Sequence, residues 1–270
     1  MKESELLEDA RDIYIAVLNT GRAAREVLKL FRGAEISADL MIDNEDIMSG
    51  DARRVEAAIS HLDIVIILSN LSDHAERELA CKVAAISKKA NFLTLVYNLV
   101  PFEFKDSGKK MGADLLKTSA LKTDLYLAVI EGEESESLVT KAENIRNVIE
   151  AIAKVLTRPM MIGIDASYLK DALCTGKLAA FGIGMSSDIA IAWDEAFSGN
   201  DVDSINTSDI SAVFITLARG NLSLEDFGLL LKLIEFRIPE NCVSVAGVVI
   251  EPSLNEMYQV SVIFIGPELY

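Results

Sequence analysis

Cysteine, histidine, proline and tryptophan are scarce in this chain of 270 residues, which contains 3 Cys, 2 His, 5 Pro and 1 Trp. The cysteines, Cys81, Cys174 and Cys242, lie far apart in the sequence and form no C-x-x-C pair. An odd, scattered set of this kind is typical of reduced thiols in a cytoplasmic protein. With two histidines, no His/Cys cluster can form a zinc site. The sequence therefore predicts a cytoplasmic protein with core cysteines and no metal site.

Positive charge is also in short supply, because 26 Lys and Arg face 42 Asp and Glu and the formal net charge is −16. Such a chain repels phosphate backbones and anionic lipids, which excludes broad nucleic-acid or membrane-surface binding. No stretch approaches the roughly 18 apolar residues of a membrane span, and runs such as residues 64–68 have the length of a strand. The N-terminal Met-Lys-Glu-Ser-Glu lacks the apolar core of a signal peptide. Half of the residues are hydrophobic, which predicts a well-formed globular core.

The first half of the chain alternates short β-branched runs with helical patterns. Apolar runs predict strands at residues 12–18, 63–68, 92–99 and 124–130. Helical spacing predicts helices after residue 21, over 53–62, after a cap at Ser72 or Asp73, and over 112–121. Buried strands separated by helices predict βαβ units and a parallel sheet. Ligands of such sheets lie at the carboxyl ends of the strands, so the loops at 19–23 and 69–77 are the candidate site.

A long helix predicted over residues 137–156 divides the chain. The second half predicts helices over 168–180, 189–197 and 223–236 and strands over 212–217, 243–250 and 257–265. Ser223 is the expected N-cap of its helix, and the last two strands are expected to form a hairpin that turns at 252–255. Trp193, Ile189 and Ile191 are expected in the core. We predict an α/β domain at 1–136, a connecting helix at 137–158 and a smaller α+β domain at 159–270.

Several segments, in this order, resemble the FtsZ/tubulin superfamily. They are the strands at 63–68 and 93–97, the motif Pro101-Phe-Glu-Phe104, the triplet Lys109-Lys110-Met111, the Phe-Gly-Ile-Gly stretch at 181–184, and the segments 245–256 and 260–266. The resemblance covers residues 13–266. It implies a Rossmann-like nucleotide-type domain, a long central helix and a smaller C-terminal domain. It further implies a prokaryotic source, with archaea among the candidates, and a role in cell division or cell shape.

The expected phosphate loop departs from this family. The alignment puts Ser72 to Glu78 where FtsZ has Gly-Gly-Gly-Thr-Gly-Thr-Gly, and the segment has no glycine. A phosphate loop needs glycines so that backbone N–H groups can converge, and it needs a helix N-terminus free of competing negative charge. The segment instead carries Asp73, Glu76 and Glu78, and a carboxylate about 4 Å from a phosphate costs about 4 kcal/mol near a protein surface. Arg77 offsets part of one such repulsion.

Base recognition and hydrolysis are altered as well. In the family, an Asp in the long helix recognises guanine, and the aligned residue here is Asn144. The family's Asn-x-Asp-x-x-Asp loop, which completes hydrolysis from a second subunit, aligns with Gly163, Asp165 and Tyr168. Asp165 is therefore a vestigial catalytic residue, and its alternative role is the N-cap of the helix that follows. The first loop retains one glycine in Asn19-Thr20-Gly21-Arg22.

These departures predict a pseudo-GTPase that works through protein–protein assembly, with itself or with an FtsZ-type filament protein. We expect no bound cofactor. The alternatives are a divergent GTPase that binds GTP or GDP weakly in a remodelled site, and a small-molecule sensor that uses the vacated cleft. The residues of this vestigial pocket are Asn19, Thr20, Gly21, Arg22, Ser72, Asp73, His74, Arg77 and Asn144.

Overall fold

A computed structural model of the chain describes residues 15–21, 51–71, 73–90, 93–98, 125–128, 138–157, 160–162, 166–173, 178–198 and 210–266. The strands in these ranges are β1 Ile15–Asn19, β2 Ile64–Ser69, β3 Leu93–Asn98, β4 Leu125–Ala128, β5 Met160–Ile162, β6 Leu178–Ser186, β7 Ala212–Arg219, β8 Val243–Ile250 and β9 Tyr258–Gly266. The helices are α1 Ala52–Ile59, α2 His74–Ala90, α3 Leu138–Thr157, α4 Ala166–Leu173, α5 Ile189–Phe197 and α6 Leu224–Arg237.

All nine described strands form one sheet in the order β1-β2-β3-β4-β6-β9-β7-β8-β5. The first four strands and β6 run parallel, which confirms the parallel sheet predicted for the first half. Strand β2 shows why this arrangement suits the sequence, because all six of its residues are buried. Ile64, Ile66 and Leu68 pack in one core cluster, and Val65 and Ile67 pack in another. A strand apolar on both sides needs helices on both faces of the sheet.

Three core clusters follow from this layering. On one face, Val148, Ile149, Ile152 and Val155 of α3 pack against strands from both halves of the chain. These four residues belong to the stripe that the helical spacing predicts. On the other face, α1 and α2 cover the first strands, and α5 and α6 cover β7, β8 and β9. The long helix is therefore central to the packing of the sheet.

The predicted helix over 168–180 is wrong in its second part. Helix α4 ends at Leu173, and β6 begins at Leu178. Strand β6 lies between β4 and β9, where its nine residues all pair with β9. The small residues of Phe181-Gly-Ile-Gly184 suit this strand because α5 packs closely on it: a Cβ at Gly184 would lie 2.0 Å from the Ala192 carbonyl oxygen. The short strand β5 was not expected either.

The predicted hairpin of the last two strands is also wrong. Strand β7 lies between them, parallel to β8 and antiparallel to β9. After β8, the 3₁₀ turn Pro252–Leu254 and Asn255 (φ 50°) carry the chain across the end of β7. The Gly220 N–H donates to the Asn255 carbonyl at 3.0 Å, which fixes this crossing. The short connection therefore passes over a neighbour and does not join paired strands.

Two expectations about buried side chains need correction. Ile189 and Trp193 are buried, but Ile191 is 52% exposed, so the core prediction is wrong for Ile191. Two helical positions turn a side chain about 200° around the axis, which places Ile191 opposite Ile189. Cys81 and Cys242 are half-buried, and this burial raises the pKa of both thiols. Cys174 lies outside the described residues.

Candidate functional site

The loops that follow β1 and β2 lie side by side at the carboxyl edge of the sheet. Asn19 stands opposite Leu68 in the parallel register. The Thr20 N–H donates to the Leu68 carbonyl at 3.1 Å, and the Thr20 hydroxyl donates to the same oxygen at 3.3 Å. Asn19, Thr20 and Gly21 are all buried. The structure therefore places the first three residues of the predicted pocket directly beside the loop that leads into α2.

Asp73 caps helix α2. Its Oδ1 accepts hydrogen bonds from the N–H groups of Ala75 and Glu76, at 2.9 and 3.0 Å. Of the two caps that the sequence allows, Asp73 is confirmed, and Ser72 lies outside the described residues. The N–H groups at the start of a helix are those that hold a phosphate in a nucleotide-binding loop. Here two of them are already bonded to a carboxylate of the chain itself.

Glu76 fills the space between the two loops. Its Oε2 accepts a hydrogen bond from the Asn70 N–H at 2.9 Å. A Cβ at Gly21 would lie 1.8 Å from Glu76 Oε1, so the carboxylate occupies the volume that a side chain at position 21 would need. The glycine of the first loop and the acid of the second therefore fit each other. This contact places a negative charge against both loops.

From the sequence, Glu76 is expected only to repel a phosphate, and its contact with Gly21 is not predicted. A signal was present, because Glu76 follows Asp73 by three residues and so occupies the capping-box position of α2. In that motif the acid bonds back to the N-cap N–H. Here it reaches further back, to Asn70.

Arg77 is held by the same loop. Its Nη1 donates to the Leu71 carbonyl at 3.0 Å, and the side chain is half-buried. Glu78 pairs with Lys82 one turn further along α2, with 3.0 Å between Nζ and Oε1. The hydrogen bond and charge of Lys82 lower the pKa of Glu78. His74 is the first residue of α2 and is exposed.

The remaining predicted site residues are not brought into this cluster by anything the structure describes. Arg22 and Asp165 lie outside the described residues, although α4 begins at Ala166, where an N-cap at Asp165 would place it. Asn144 lies in α3, where the structure describes its backbone alone. Within the described ranges, no group of three or more His, Cys, Asp or Glu side chains is arranged to hold a metal ion. In the same ranges, no helix combines the length and apolarity of a membrane span.

The amino-acid sequence is similar to that of FtsZ cell division proteins. No family model matches the chain. It is 22% identical over 235 residues to the cell division protein FtsZ of Buchnera aphidicola subsp. Baizongia pistaciae, covering 82% of this chain and 61% of that protein. It is 24% identical over 256 residues to FtsZ 1 of Methanocaldococcus jannaschii, covering 88% and 69%. The chain spans about 60% of the length of the first curated relatives that it matches.

Solved structures of FtsZ and related proteins superpose on nearly the whole chain. An empty FtsZ dimer from M. jannaschii superposes with a TM-score of 0.70 at 20% identity and covers 98% of this chain and 92% of that one. CetZ1 from Haloferax volcanii, a GDP-bound monomer, gives a TM-score of 0.64 at 14% identity, covering 94% of each chain. Protofilaments of TubZ from Bacillus thuringiensis serovar israelensis give 0.63 at 11% identity, covering 98% and 90%.

The chain is similar to FtsZ in sequence and has the fold of FtsZ and its structural relatives. The α/β fold that the sequence resemblance implies is therefore confirmed. In this FtsZ-like chain, the loops after β1 and β2 meet the start of α2 at the carboxyl edge of the sheet. There the Asp73 and Glu76 carboxylates accept hydrogen bonds from backbone N–H groups.

Proposed function

We propose that this FtsZ-like chain is a non-catalytic cytoplasmic protein that acts through protein–protein assembly in cell division or cell shape. Its partner is a second copy or a catalytic FtsZ-type filament protein. The observation that carries the proposal is the Glu76 carboxylate, which lies against Gly21 and accepts the Asn70 N–H. It bonds to the loop as an anion would, from within the chain.

An incoming phosphate would have to displace these contacts. The loop N–H groups of Asn70, Ala75 and Glu76 are bonded to carboxylates at 2.9–3.0 Å. The Arg77 guanidinium, the cation nearest in sequence, donates to the Leu71 carbonyl. This hydrogen bond holds the Arg77 side chain against its own loop, while the Asp73 and Glu76 carboxylates repel an incoming phosphate. These contacts support a site that binds no nucleotide.

The assembly part of the proposal draws on the relatives. The curated relatives are cell division proteins, one solved relative is an FtsZ dimer, and another is a TubZ protofilament. This chain has the fold of those proteins, but the loop N–H groups at its candidate site are bonded to the Asp73 and Glu76 carboxylates. A scaffold kept without its ligand contacts is best explained by a surface that other subunits bind.

Titration calorimetry with GTP and GDP tests the nucleotide part. We expect no binding by the unaltered chain at micromolar ligand. Glu76→Ala frees the Asn70 N–H and removes one charge, so we expect its affinity for GTP or inorganic phosphate to rise by at least about tenfold. Glu78→Ala is the matched control, because it removes an equal charge that is paired with Lys82 on the outer surface of α2.

Three results would contradict the proposal that the chain binds no nucleotide. Micromolar GTP binding by the unaltered chain, or hydrolysis of GTP with release of phosphate, would make the protein a divergent GTPase. Equal gains in affinity for Glu76→Ala and Glu78→Ala would show that the Glu76 contact is not what excludes the anion.

Light scattering and analytical ultracentrifugation test the assembly part, with and without a catalytic FtsZ. We expect concentration-dependent assembly that needs no added nucleotide. A chain that stays monomeric at tens of micromolar and leaves FtsZ filaments unchanged would contradict it.

A further inference from the structure

The Glu76 side chain bridges the loops that follow β1 and β2. Its Oε2 accepts the Asn70 N–H of the second loop at 2.9 Å. Its Oε1, Cδ and Cγ lie where a side chain at Gly21 of the first loop would begin, at 1.8, 1.9 and 2.5 Å from the position of a Cβ there. One carboxylate therefore lies against the first loop and is bonded to the second.

Helix α2 fixes the position from which Glu76 reaches the loops. The Glu76 N–H donates to the Asp73 carboxylate at 3.0 Å, and the Asp73 N–H donates to the Asn70 carbonyl at 3.1 Å. Further along the helix, Ala80 and Val83 are fully buried in the core cluster that covers β1 and β2. Because the backbone is anchored at both places, rotation of the Glu76 side chain is the motion that makes or breaks the bridge.

Glycine at position 21 leaves the room that the carboxylate occupies. Among the described residues, the three atoms nearest to a Cβ there all belong to the Glu76 side chain. The Gly21 backbone lies outside the left-handed region, so its own conformation accepts an alanine. We therefore expect Gly21→Ala to expel the flexible Glu76 side chain from the loops without straining the backbone.

We propose that Glu76 is an autoinhibitory latch, whose carboxylate holds the two loops in one arrangement and keeps free anions from the Asn70 N–H. The latch is closed when the carboxylate lies between Gly21 and Asn70, and it opens when the side chain turns outward. A charged acceptor bonds an N–H more strongly than a neutral one, which favours the closed form. This inference rests on the proposed function and deepens it, because it names how the site is held closed without a ligand.

Amide hydrogen exchange at Asn70, followed by NMR, measures the latch directly. In Glu76→Ala the Asn70 N–H loses this acceptor, so we expect its protection factor to fall about tenfold or more. Gly21→Ala should lower the same protection factor by a similar amount, because it expels the same carboxylate. Glu78→Ala is the matched control: its carboxylate pairs with Lys82, and its removal should leave Asn70 unchanged.

A double-mutant cycle tests whether Gly21 and Glu76 act through one contact. Glu76→Ala removes all three of the atoms that a Cβ at position 21 would meet. Adding Gly21→Ala to Glu76→Ala should therefore change the Asn70 protection factor by less than about twofold. Independent effects would multiply to a fall of about a hundredfold, and that result would overturn the latch.

Chemical rescue tests whether the latch acts as an anion. Acetate carries the carboxylate and the one carbon that Glu76→Ala removes beyond Cβ, so we expect it to restore the Asn70 protection factor of this variant. Inorganic phosphate is the second probe, and sodium chloride at the same ionic strength should have no effect. Restoration by neither probe, or equal effects of acetate and chloride, would overturn the latch.

The unfolding midpoint of each variant shows whether the fold is retained. If Glu76→Ala unfolds, Glu76→Gln replaces it, because this change keeps the shape of the side chain and removes its charge. We expect a smaller fall in the Asn70 protection factor for Glu76→Gln, since a neutral acceptor bonds more weakly. An unchanged protection factor in Glu76→Gln and in Gly21→Ala would overturn the latch.

The latch and the proposed function fail separately. The exchange measurements use the chain without nucleotide, so they decide the latch whatever the calorimetry shows. Hydrolysis of GTP by the unaltered chain, together with loss of Asn70 protection in Glu76→Ala and Gly21→Ala, would overturn the non-catalytic function and support the latch. Unchanged Asn70 protection in both variants, in a chain that binds no nucleotide and assembles, would overturn the latch alone.

Discussion

Gly184 and Gly228 show how much the surroundings of a single residue matter. Gly184 lies in β6, and a Cβ there would meet the Ala192 carbonyl oxygen at 2.0 Å and the Ala196 nitrogen at 2.8 Å. Both atoms belong to the backbone of α5, which cannot move without shifting the helix. Gly228 lies inside α6, where a Cβ would meet nothing within 4 Å.

We therefore expect opposite effects from the same substitution. Gly184→Ala forces α5 away from the sheet and lowers the free energy of unfolding by about 1–3 kcal/mol or more. Gly228→Ala removes a helix-interior glycine and raises it by up to about 1 kcal/mol. Urea denaturation of the two variants measures both changes. Similar stabilities for the two variants would contradict the close packing of α5 on β6.

At the candidate site, the role of a residue could be predicted only where it contacts residues close to it in the sequence. Asp73 was one of two expected caps of α2, because its carboxylate acts on N–H groups two and three residues away. The contact of Glu76 with Gly21 joins residues 55 positions apart in the sequence. The predicted parallel sheet places both loops at one edge, but no pattern in either loop shows that Glu76 reaches Gly21.

At the scale of elements, a cluster of polar side chains joins β7, α6 and β9. Ser223 and Asp226 form a capping box at the start of α6. The Tyr258 hydroxyl donates to Asp226 Oδ1 and accepts from Arg219 Nη1, and the Arg219 guanidinium lies 4.3 Å from the centre of the Tyr258 ring. Burial, and then the hydrogen bond to Asp226, raise the pKa of Tyr258 to about 12. Burial also acts to raise the pKa of Asp226, but its hydrogen bonds and Arg219 outweigh burial and lower it.

These directions predict how stability depends on pH. Because the folded pKa of Tyr258 lies above its ordinary value of 10.0, its contribution is complete below pH 10 and is lost as pH rises toward 12. We expect the chain to lose more stability between pH 10 and 12 than Tyr258→Phe does, as measured by urea denaturation. Tyr168→Phe, at a position 68% exposed, is the control and keeps the profile of the unaltered chain. Parallel profiles for the chain and Tyr258→Phe would contradict this coupling.

Asp226 gives the opposite dependence at the acid end. Its lowered folded pKa means that its contribution is present above its ordinary value of 3.8 and is lost as pH falls through the folded value. The same urea series, extended to acid pH, follows this loss.

Elements with strong local signals matched the sequence analysis, and others did not. Helix α5 has the predicted bounds because Asp188 caps it and its apolar residues follow a helical period. Strand β6 was missed because its small residues, Ala179 to Gly184, carry neither a clear period nor a strong strand propensity. The predicted hairpin of β8 and β9 is wrong because a short connection can join two paired strands or can pass over a strand that lies between them, as it does here over β7.

At the scale of the molecule, the sheet runs without interruption from β1 to β5. Strand β4 pairs with β6, and one core cluster contains Val17 and Ile64 together with Phe214 and Ile263. The division into 1–136, 137–158 and 159–270 stays a prediction. The shared cluster and the shared sheet nevertheless couple residues from the first and last of these segments.

We therefore expect the chain to unfold in a single cooperative step. In differential scanning calorimetry, the calorimetric and van't Hoff enthalpies should agree, because the segments share one cluster beneath α3. Two resolved transitions, or a cooperative transition in an isolated fragment of residues 159–270, would instead establish separate domains.

The local features can be predicted from the sequence alone: the parallel αβ repeat, the long apolar-striped helix, a cap at Ser72 or Asp73, the cap at Ser223, and the excess of acid where the superfamily has glycine. Periodicity and capping act over a few residues, so they can be read from the chain alone. The packing of distant segments sets the two features that the sequence does not predict: β7 separates β8 from β9, and Glu76 fills the space at Gly21. Each of these depends on segments far apart in the sequence, whose relative positions are set by the packing of the whole sheet.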